Sequence, residues 1–478
     1  MDVTGRNDWS SALVYTNGTG NYSYFYPSIS GSWIASETFD LPKWMSFMKF
    51  RASIAQVGND TSPYYINSGY TIKKSDFGGL ISSLQMSSQI KSLDLRPERK
   101  TSWELGLDWR FFNNRLGLDF TYYKENTRDQ IMSISVPSVS GISSELVNAG
   151  DIQNQGIEIA LNTTPVETRD FRWDVDFTFT RNRNKIVSLH EDVANWIVLD
   201  GYVDYGNYRI GSVAKVGSDY GLLMTDSFPN YDERTGYPIC GYTTGMHTIF
   251  YPRSGEVREL GSMNPKFLSS ANTTIRYKNV ALRASFDARF GGYVASYNSR
   301  YATAYGMSAE SLKYREGMTW TSQIPGATFG KTFYDGFIPE AVFRANTKSP
   351  LTGHDISGMT YQEAYDAGEM EPAHLQAYGY YINSWGNGVI NEDWVKELNY
   401  IALREVTVSW TLPARWAQAI KARGLSLSAT GRNLAYLLNT APNHENPEAV
   451  RGTGASNFRM RSFSPYTRNF LFTINISF

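Results

Sequence analysis

Apolar and polar side chains alternate along much of the chain. The alternation is clearest over residues 103–111, where tryptophan, leucine and phenylalanine occupy every second position between charged residues and a glycine. A period of two is typical of a β-strand with two chemically different faces, because successive side chains point to opposite sides. Asn113-Asn114 interrupts the pattern, which resumes at Leu116 and continues to Tyr122. These residues predict a β-hairpin.

The same alternation recurs to the last residue and predicts about twelve strands. Most of them have ten or more residues, which suits a tilted membrane crossing better than the five or six residues usual in a globular sheet. The predicted strands are 2–11, 27–36, 47–57, 102–112, 115–129, 148–161, 171–186, 266–277, 280–291, 400–412, 424–434 and 469–478.

The predicted connections alternate strictly between short and long. The short ones lie near 37–46, 113–114, 162–170, 278–279 and 413–423. The long ones lie near 12–26, 58–101, 130–147, 187–265, 292–399 and 435–468. Short periplasmic turns opposite long extracellular loops are typical of an outer-membrane barrel. We therefore predict an all-β fold, an antiparallel transmembrane β-barrel whose carboxyl terminus lies on the periplasmic side.

Composition narrows the class of protein. The 478 residues include 45 basic and 46 acidic side chains, so nothing favours a nucleic-acid binder, which needs a surplus of cations. The single cysteine, Cys240, excludes an intrachain disulfide and a cysteine-based zinc site. No run of eighteen apolar residues predicts a membrane-spanning helix. Residues 1–6 lack the features of a signal peptide, so we expect either a cytosolic protein or a chain that is not the start of its polypeptide.

Aromatic residues collect near predicted strand ends, as expected of the girdles at the two membrane interfaces. Examples are Trp33, Tyr122, Tyr123, Trp394 and Tyr400. The alternative is that aromatic residues are simply common in β-structure.

Catalytic motifs are missing from the sequence. The five histidines are far apart, and no pair has the spacing of a zinc hydrolase. No nucleophile elbow, phosphate-binding loop or dinucleotide fingerprint occurs in a suitable context. We predict that the protein is not an enzyme and that it has no metal or cofactor.

Charged side chains on the polar faces of the predicted strands are expected to face the lumen. They either hydrate the inner wall and pair with one another or with a plug, or guide a solute. These residues are Glu104, Asp108, Arg110, Asp119, Arg172, Asp174 and Asp176.

The loop near 292–399 is the best candidate for ligand binding, because aromatic rings among polar groups suit both sugar rings and peptide side chains. The alternative is that these rings pack the loop against itself or against a partner. The candidate residues are Trp320, Phe333, Tyr334, Tyr380, Tyr381 and Trp385, and a short helical stretch is predicted from 361 to 377.

A series of short motifs runs through the chain in order. The most specific are Arg96-Pro97-Glu98 before Thr101-Ser102-Trp103-Glu104-Leu105-Gly106, and Asn148-Ala149-Gly150 before Asn154-Gln155-Gly156-Ile157-Glu158. Further motifs are Gly5-Arg6-Asn7-Asp8, Lys49-Phe50-Arg51-Ala52-Ser53, Asn264-Pro265-Lys266, Tyr400-Ile401-Ala402-Leu403-Arg404, Gly431-Arg432-Asn433-Leu434 and Asn446-Pro447-Glu448. Together they resemble the carboxyl-terminal half of the SusC/RagA family of TonB-dependent outer-membrane transporters.

The resemblance implies that residues 1–478 supply about the last twelve strands of a 22-stranded barrel in the outer membrane of a Gram-negative bacterium. It implies import of oligosaccharides or oligopeptides with a SusD-like surface lipoprotein. It also implies a plug-bearing amino-terminal half, absent from this chain, through which TonB-ExbB-ExbD acts. Acidic residues within 226–240 do not have EF-hand spacing, so no metal is predicted there.

Two alternatives remain open from the residues alone. A passive twelve-stranded porin would close its barrel by pairing 2–11 with 469–478. A soluble β-rich binding protein or enzyme would need a second sheet to cover the apolar stripes, because they would otherwise form a large exposed patch.

Overall fold

Twelve long strands form one continuous antiparallel sheet in chain order. The computed structural model describes residues 1–67, 69–74, 82–136, 141–193, 195–204, 208–313, 317–326, 328–374, 394–450, 454–461 and 465–478. The strands are β1 (Asp2–Trp9), β2 (Ser23–Ile34), β3 (Met45–Asn59), β4 (Glu98–Phe111), β5 (Leu116–Arg128), β6 (Asp151–Glu167), β7 (Phe171–Ser188), β8 (Phe267–Tyr277), β9 (Val280–Phe290), β10 (Tyr400–Thr411), β11 (Gly424–Asn439) and β12 (Asn469–Ser477).

Every predicted strand is present, and the alternation of short and long connections is confirmed. The turn predicted near 162–170 is shorter in the structure, because pairing between β6 and β7 continues as far as Glu167 and Arg172. Among the described residues, no helix is long and apolar enough to cross a bilayer.

β1 and β12 are the two edges of the sheet, and each pairs with a single neighbour. The pairing that a closed twelve-stranded porin requires, between 2–11 and 469–478, is therefore not formed in the described part of the chain. The structure therefore does not support the alternative of a closed twelve-stranded porin.

The two faces of the sheet differ in chemistry. Residues paired directly across two antiparallel strands point to the same face, so the register Leu107–Phe120–Ile159 makes one apolar stripe across β4, β5 and β6. On β12 the apolar residues Phe470 and Phe472 of this outer face are exposed. No second sheet covers the outer face in the described ranges. A soluble sandwich would bury this apolar face, whereas a barrel wall exposes it to lipid.

Aromatic side chains gather on the outer face next to the short turns. Trp33 stacks on Phe50 with ring centroids 5.8 Å apart, and Trp44 stacks on Phe111 at the same distance. This belt agrees with the girdle expected at a membrane interface.

Three of the aromatic residues predicted for the girdles lie elsewhere. Tyr123 and Tyr400 are on the polar face, because their cross-strand partners Glu104 and Arg289 alternate with the apolar stripe. Trp394 is only 4% exposed and packs among the loops. Proximity to a strand end does not specify which face a side chain joins.

The long connections, L1 (10–22), L2 (60–97), L3 (129–150), L4 (189–266), L5 (291–399) and L6 (440–468), have secondary structure of their own. In the described parts of these loops the strands are Tyr70–Lys74, Ser82–Met86, Gln89–Lys91, Ile131–Ser135, Ser144–Asn148, Trp196–Asp204, Tyr208–Lys215, Leu222–Thr225, Ile239–Thr243, Thr248–Phe250, Arg258–Ser262, Tyr293–Ser296, Trp320–Thr321, Thr332–Phe333, Val342–Phe343, Val395–Glu397 and Arg459–Met460. Within the residues that the structure describes, the α-helices are α1 (Tyr297–Ala304) and α2 (Tyr361–Asp366) in L5, and α3 (Ala414–Ala419) in the short turn 412–423.

Helix α2 is shorter than the helix predicted within 361–377. Thr360 and Glu363 form a reciprocal capping box at its start. The helix ends because Gly368 adopts a left-handed φ of 73°, a conformation that favours glycine. Arg234 of L4 also binds the Glu363 carboxylate at 3.0 Å and, with the cap, lowers its pKa to about 2.

Candidate functional site

Most fully buried apolar side chains of the described residues lie in the long loops rather than in the sheet. One cluster joins L1, L2 and L3 through Leu13, Leu95 and Leu146. Another cluster joins L3 and L4 to the ends of β6 and β7 that adjoin the long loops. Burial of these side chains from water fixes the loops against each other. We call this assembly of the six long loops the loop cap.

The largest cluster of the loop cap joins L4 to L5. It includes Cys240 and Ile249 from L4 with Phe343, Tyr361 and Ala373 from L5, and all five are almost completely buried. Burial raises the pKa of the Cys240 thiol to about 12, so this cysteine is an inert packing residue.

An aromatic pair lies beside that cluster. Trp320 and Phe333 are opposite each other in a two-stranded hairpin and stack with ring centroids 4.5 Å apart. Phe333 is 6% exposed, Trp320 is half-buried, and the adjacent Tyr334 is 81% exposed. Of the predicted ligand-binding residues, Trp320 and Tyr334 are therefore accessible, whereas Phe333 is buried and stacks on Trp320. Tyr380, Tyr381 and Trp385 lie outside the described residues.

A buried histidine and a buried glutamate lie directly behind the aromatic pair. Nδ1 of His247 is 2.8 Å from the Glu371 carboxylate, and Nε2 is 2.8 Å from the Thr328 hydroxyl. The same carboxylate accepts hydrogen bonds from the Ser322 hydroxyl and the Gln323 backbone N–H, each at 2.9 Å. Burial lowers the pKa of His247 and thereby favours the neutral imidazole. The Glu371 carboxylate therefore has three polar partners, His247, Ser322 and Gln323.

A second histidine reaches the same place from a distant part of the sequence. His374 lies 2.5 Å from the Asp335 carboxylate, and its ring is 4.8 Å from that of Phe333. Sequence spacing gave no sign of this arrangement, because His247 and His374 belong to different loops. In the described ranges, no three histidine, cysteine or acidic residues are placed to hold a metal ion.

All seven charged residues predicted to face the lumen are on the polar face of the sheet, as the strand registers require. Arg51 donates two hydrogen bonds to Asp119, at 2.7 and 3.0 Å. Arg172 donates to Asp174 at 2.9 Å. These partners are partly exposed, so each pair contributes about 1 kcal/mol or less.

The remaining predicted lumen residues are also held within the wall. Arg110 and Asp108 are 3.6 Å apart, and Asp176 accepts a hydrogen bond from Asn162 at 2.7 Å. Glu104 lines a recess next to Arg51. The polar face is thus a network of paired groups that keeps the wall hydrated.

One cluster that the sequence did not reveal fastens L6 to this wall. Arg404 of β10 bonds to Asp287 of β9 and to Glu448 of L6, with a 2.7 Å contact to the latter. Its guanidinium also lies near the rings of Tyr400 and Tyr436. A bulge at this point of β10 places Arg404 on the polar face.

A family model described as TonB dependent receptor-like, beta-barrel matches residues 2–252. The chain belongs to the TonB-dependent receptor β-barrel family. This confirms the predicted fold class and the resemblance noted from the motifs. The apolar outer face and polar inner face are those of a receptor barrel wall.

Relatives with curated names agree with this assignment. TonB-dependent receptor P3 of Formosa agariphila is 28% identical over 333 residues, which are 62% of this chain and 32% of that protein. TonB-dependent receptor SusC of Bacteroides thetaiotaomicron is 28% identical over 207 residues, 42% of this chain and 20% of that protein. The matches thus span a third or less of the length of these relatives.

Solved structures show the same fold. A structure of the RagAB peptide transporter has a TM-score of 0.65 at 18% identity, covering 100% of this chain and 45% of that one. The RagAB peptide importer in its open-open state has a TM-score of 0.66 at 17% identity, with the same coverage. The receptor barrel wall described above is thus shared with these transporters.

Proposed function

We propose that this chain forms about twelve strands of the wall, and the extracellular cap, of an outer-membrane transporter that imports oligosaccharides or oligopeptides. The observation that carries the proposal is a single sheet with one apolar and one polar face, topped along one edge by six packed loops. A barrel wall needs the two faces, and ligand capture needs an ordered surface at the outer mouth. The short turns and the carboxyl terminus then face the periplasm.

The open edges β1 and β12 leave room for the rest of a 22-stranded barrel. We infer that a plug-bearing amino-terminal half supplies the remaining strands and contacts TonB-ExbB-ExbD. The coverage of 45% of the RagAB transporter chain supports this division. As for other TonB-dependent receptors, we infer that the chain moves its ligand without chemical change.

The ligand surface is proposed to be centred on Trp320 and Tyr334. A half-buried indole and an exposed phenol offer apolar faces and hydrogen-bonding tips, the combination that sugar rings and peptide side chains both require. The rigid backing of Phe333 and His247 would keep the indole in place. Tyr380, Tyr381 and Trp385 remain predictions for the same surface.

A SusD-like surface lipoprotein is the proposed partner of the loop cap. L5 carries several large apolar side chains that are more than half exposed, which is unusual unless another protein covers them. These residues are Tyr305, Met307, Leu312 and Phe329.

Affinity purification from native outer membranes in detergent, followed by mass spectrometry, tests the assembly. We expect a plug-bearing barrel half and a surface lipoprotein to co-purify. Recovery of the chain alone from the soluble fraction would refute the proposal.

Ligand class is tested by binding of fluorescent oligosaccharide and oligopeptide libraries to the same complex. Trp320→Ala is expected to weaken binding at least tenfold for one of the two libraries, because a stacking face is lost. Trp416→Ala is the matched control, since Trp416 is exposed in the short turn at the opposite end of the wall. Equal loss in both variants would show that Trp320 has no role in recognition.

A further inference from the structure

The outer face of β7 changes character abruptly along its length. Its apolar side chains, at alternate positions from Phe171 to Phe179, are followed on the same face by Arg181, Arg183 and Lys185. A charged side chain on the lipid side of a wall is destabilising at mid-membrane depth and tolerated at the interface. The energetic cost of these three cations therefore depends on their depth in the membrane.

The length of β7 gives that position. Phe171 follows the short turn, and Arg181 is ten residues farther along the strand. At about 3.3 Å per residue the separation is about 33 Å along the strand. A tilt of about 40° reduces this to about 25 Å along the membrane normal, which matches the height of the apolar band of an outer-membrane barrel. Arg181 thus lies at the edge of the hydrocarbon on the side of the long loops, with Arg183 and Lys185 just beyond it.

The neighbouring strands extend this cationic surface. The register pairs Arg183 with Gln155 of β6, which in turn pairs with Lys124 of β5. Two residues closer to the short turn, Arg181 pairs with Ile157, an apolar residue of the outer face. The four cations Lys124, Arg181, Arg183 and Lys185 form a group that we call the outer cationic cluster.

The members of the outer cationic cluster have no ion pair or hydrogen bond to any described residue through their side chains. The three on β7 are exposed. This contrasts with the polar face, where Arg51 and Arg172 each bind a carboxylate. Like charges two positions apart on one strand face lie about 7 Å from each other and repel. Such an arrangement is stabilised when anions bind between the side chains.

A recess beside β7 provides space for such an anion. Pairing between β7 and β8 stops at Thr180 and Leu268. Above this point a cavity of about 560 Å³ opens next to the free edge of β7. The three β7 cations line one side, and Lys266, Glu397 and Asp219 lie among its other lining residues. Lys266 and Glu397 pair with each other at 2.5 Å.

We propose that the outer cationic cluster and this recess bind the phosphate groups of phosphorylated lipid headgroups in the outer leaflet. The inference takes from the proposed function only the orientation that puts the long loops outside the cell. Cations near a membrane surface attract anionic headgroups, and guanidinium groups can bind phosphate with two hydrogen bonds. The lipid would seal the wall where the sheet ladder between β7 and β8 ends.

Native mass spectrometry of the delipidated native protein in detergent tests the proposal, with diphosphorylated lipid A as the probe. The test variant is Arg181→Gln, Arg183→Gln and Lys185→Gln combined. The matched control is Arg415→Gln, Lys421→Gln and Arg423→Gln, which removes two arginines and one lysine that are exposed at the short-turn end. If the test variant does not fold, as judged by heat-modifiable migration in gels, Arg183→Gln alone replaces it.

We expect the wild type and the control variant to bind the phosphorylated lipid equally, and the test variant to bind it at least tenfold more weakly. If the three cations contribute independently, their combined loss should weaken lipid binding about a hundredfold, and Arg183→Gln alone should weaken it about fivefold. Lipid A without phosphates should bind all variants alike. Unchanged binding by the test variant would overturn the proposal, as would displacement of the lipid by millimolar inorganic phosphate, which would indicate a site for the free anion. None of these readouts requires transport, so they are independent of the proposed function.

Discussion

Replacement of Phe458 by alanine should open the loop cap without unfolding the wall. Phe458 of L6 is completely buried in a cluster that also contains Leu223 of L4 and Trp394 of L5. Its carbonyl accepts a hydrogen bond from the Ala295 N–H at 2.8 Å, and this bond survives the substitution. The change thus removes only the side chain that three loops share.

The expected magnitude follows from the complete burial of the ring. Phenylalanine-to-alanine changes in protein cores cost about 3–5 kcal/mol, from lost burial and from the cavity that remains. At about 1.4 kcal/mol for each factor of ten, the equilibrium constant for opening of L4, L5 and L6 should rise by about two to three and a half powers of ten.

Hydrogen exchange measured peptide by peptide tests this prediction. Amides near 210–225, 293–296 and 458–460 should lose protection together, because one cluster holds them, while β5 to β7 keep theirs. Phe472→Ala is the control, since that ring is on the outer face and 83% exposed. Unchanged protection in the loops, or equal loss in loops and strands, would refute the idea that the cap is a separate packed unit.

Three further predictions concern single groups. Since burial holds the pKa of His247 below its ordinary value of 6.5, the folded L4–L5 cluster binds fewer protons than the open form. The stability of this cluster should therefore be constant above about pH 7 and fall below about pH 6.5. Hydrogen exchange that, after correction for pH, does not change between pH 7 and 5 would contradict this. Gly156→Ala should cost about 1–3 kcal/mol, because the added Cβ would clash with the Arg181 backbone carbonyl oxygen and would lie 2.5 Å from the Tyr123 hydroxyl. Heat-modifiable gel migration should show less folded protein than for Gly117→Ala, whose Cβ has no neighbour closer than 3.9 Å. Arg404→Met should weaken the attachment of L6 to the wall by about 2 kcal/mol, because it removes charged hydrogen bonds to two carboxylates. If a protease cleaves L6 no faster in the variant than in the wild type, Arg404 does not anchor this loop.

The sequence by itself determined the wall. A strand needs only its own period of two to separate its faces, and each hairpin pairs neighbours in the chain, so the twelve strands, their order and their polar face could be predicted from local patterns. The seven charged residues from Glu104 to Asp176 were assigned to the polar face for the same reason. Strand ends were less certain, because pairing with a neighbour extends β6 and β7 beyond their alternating segments.

Only the tertiary structure decided the loop cap and the sites on it. His247 and Glu371, or Phe458 and Leu223, meet because distant loops bury apolar surface together, and no local period records such contacts. Trp394 looked like a residue of the membrane interface until the cap was seen to enclose it. The outer cationic cluster could likewise not be predicted from the sequence, because only the register of β5, β6 and β7 brings its members together on one face. Short-range alternation specifies a strand, whereas the packing of loops depends on side chains that only the folded chain brings together.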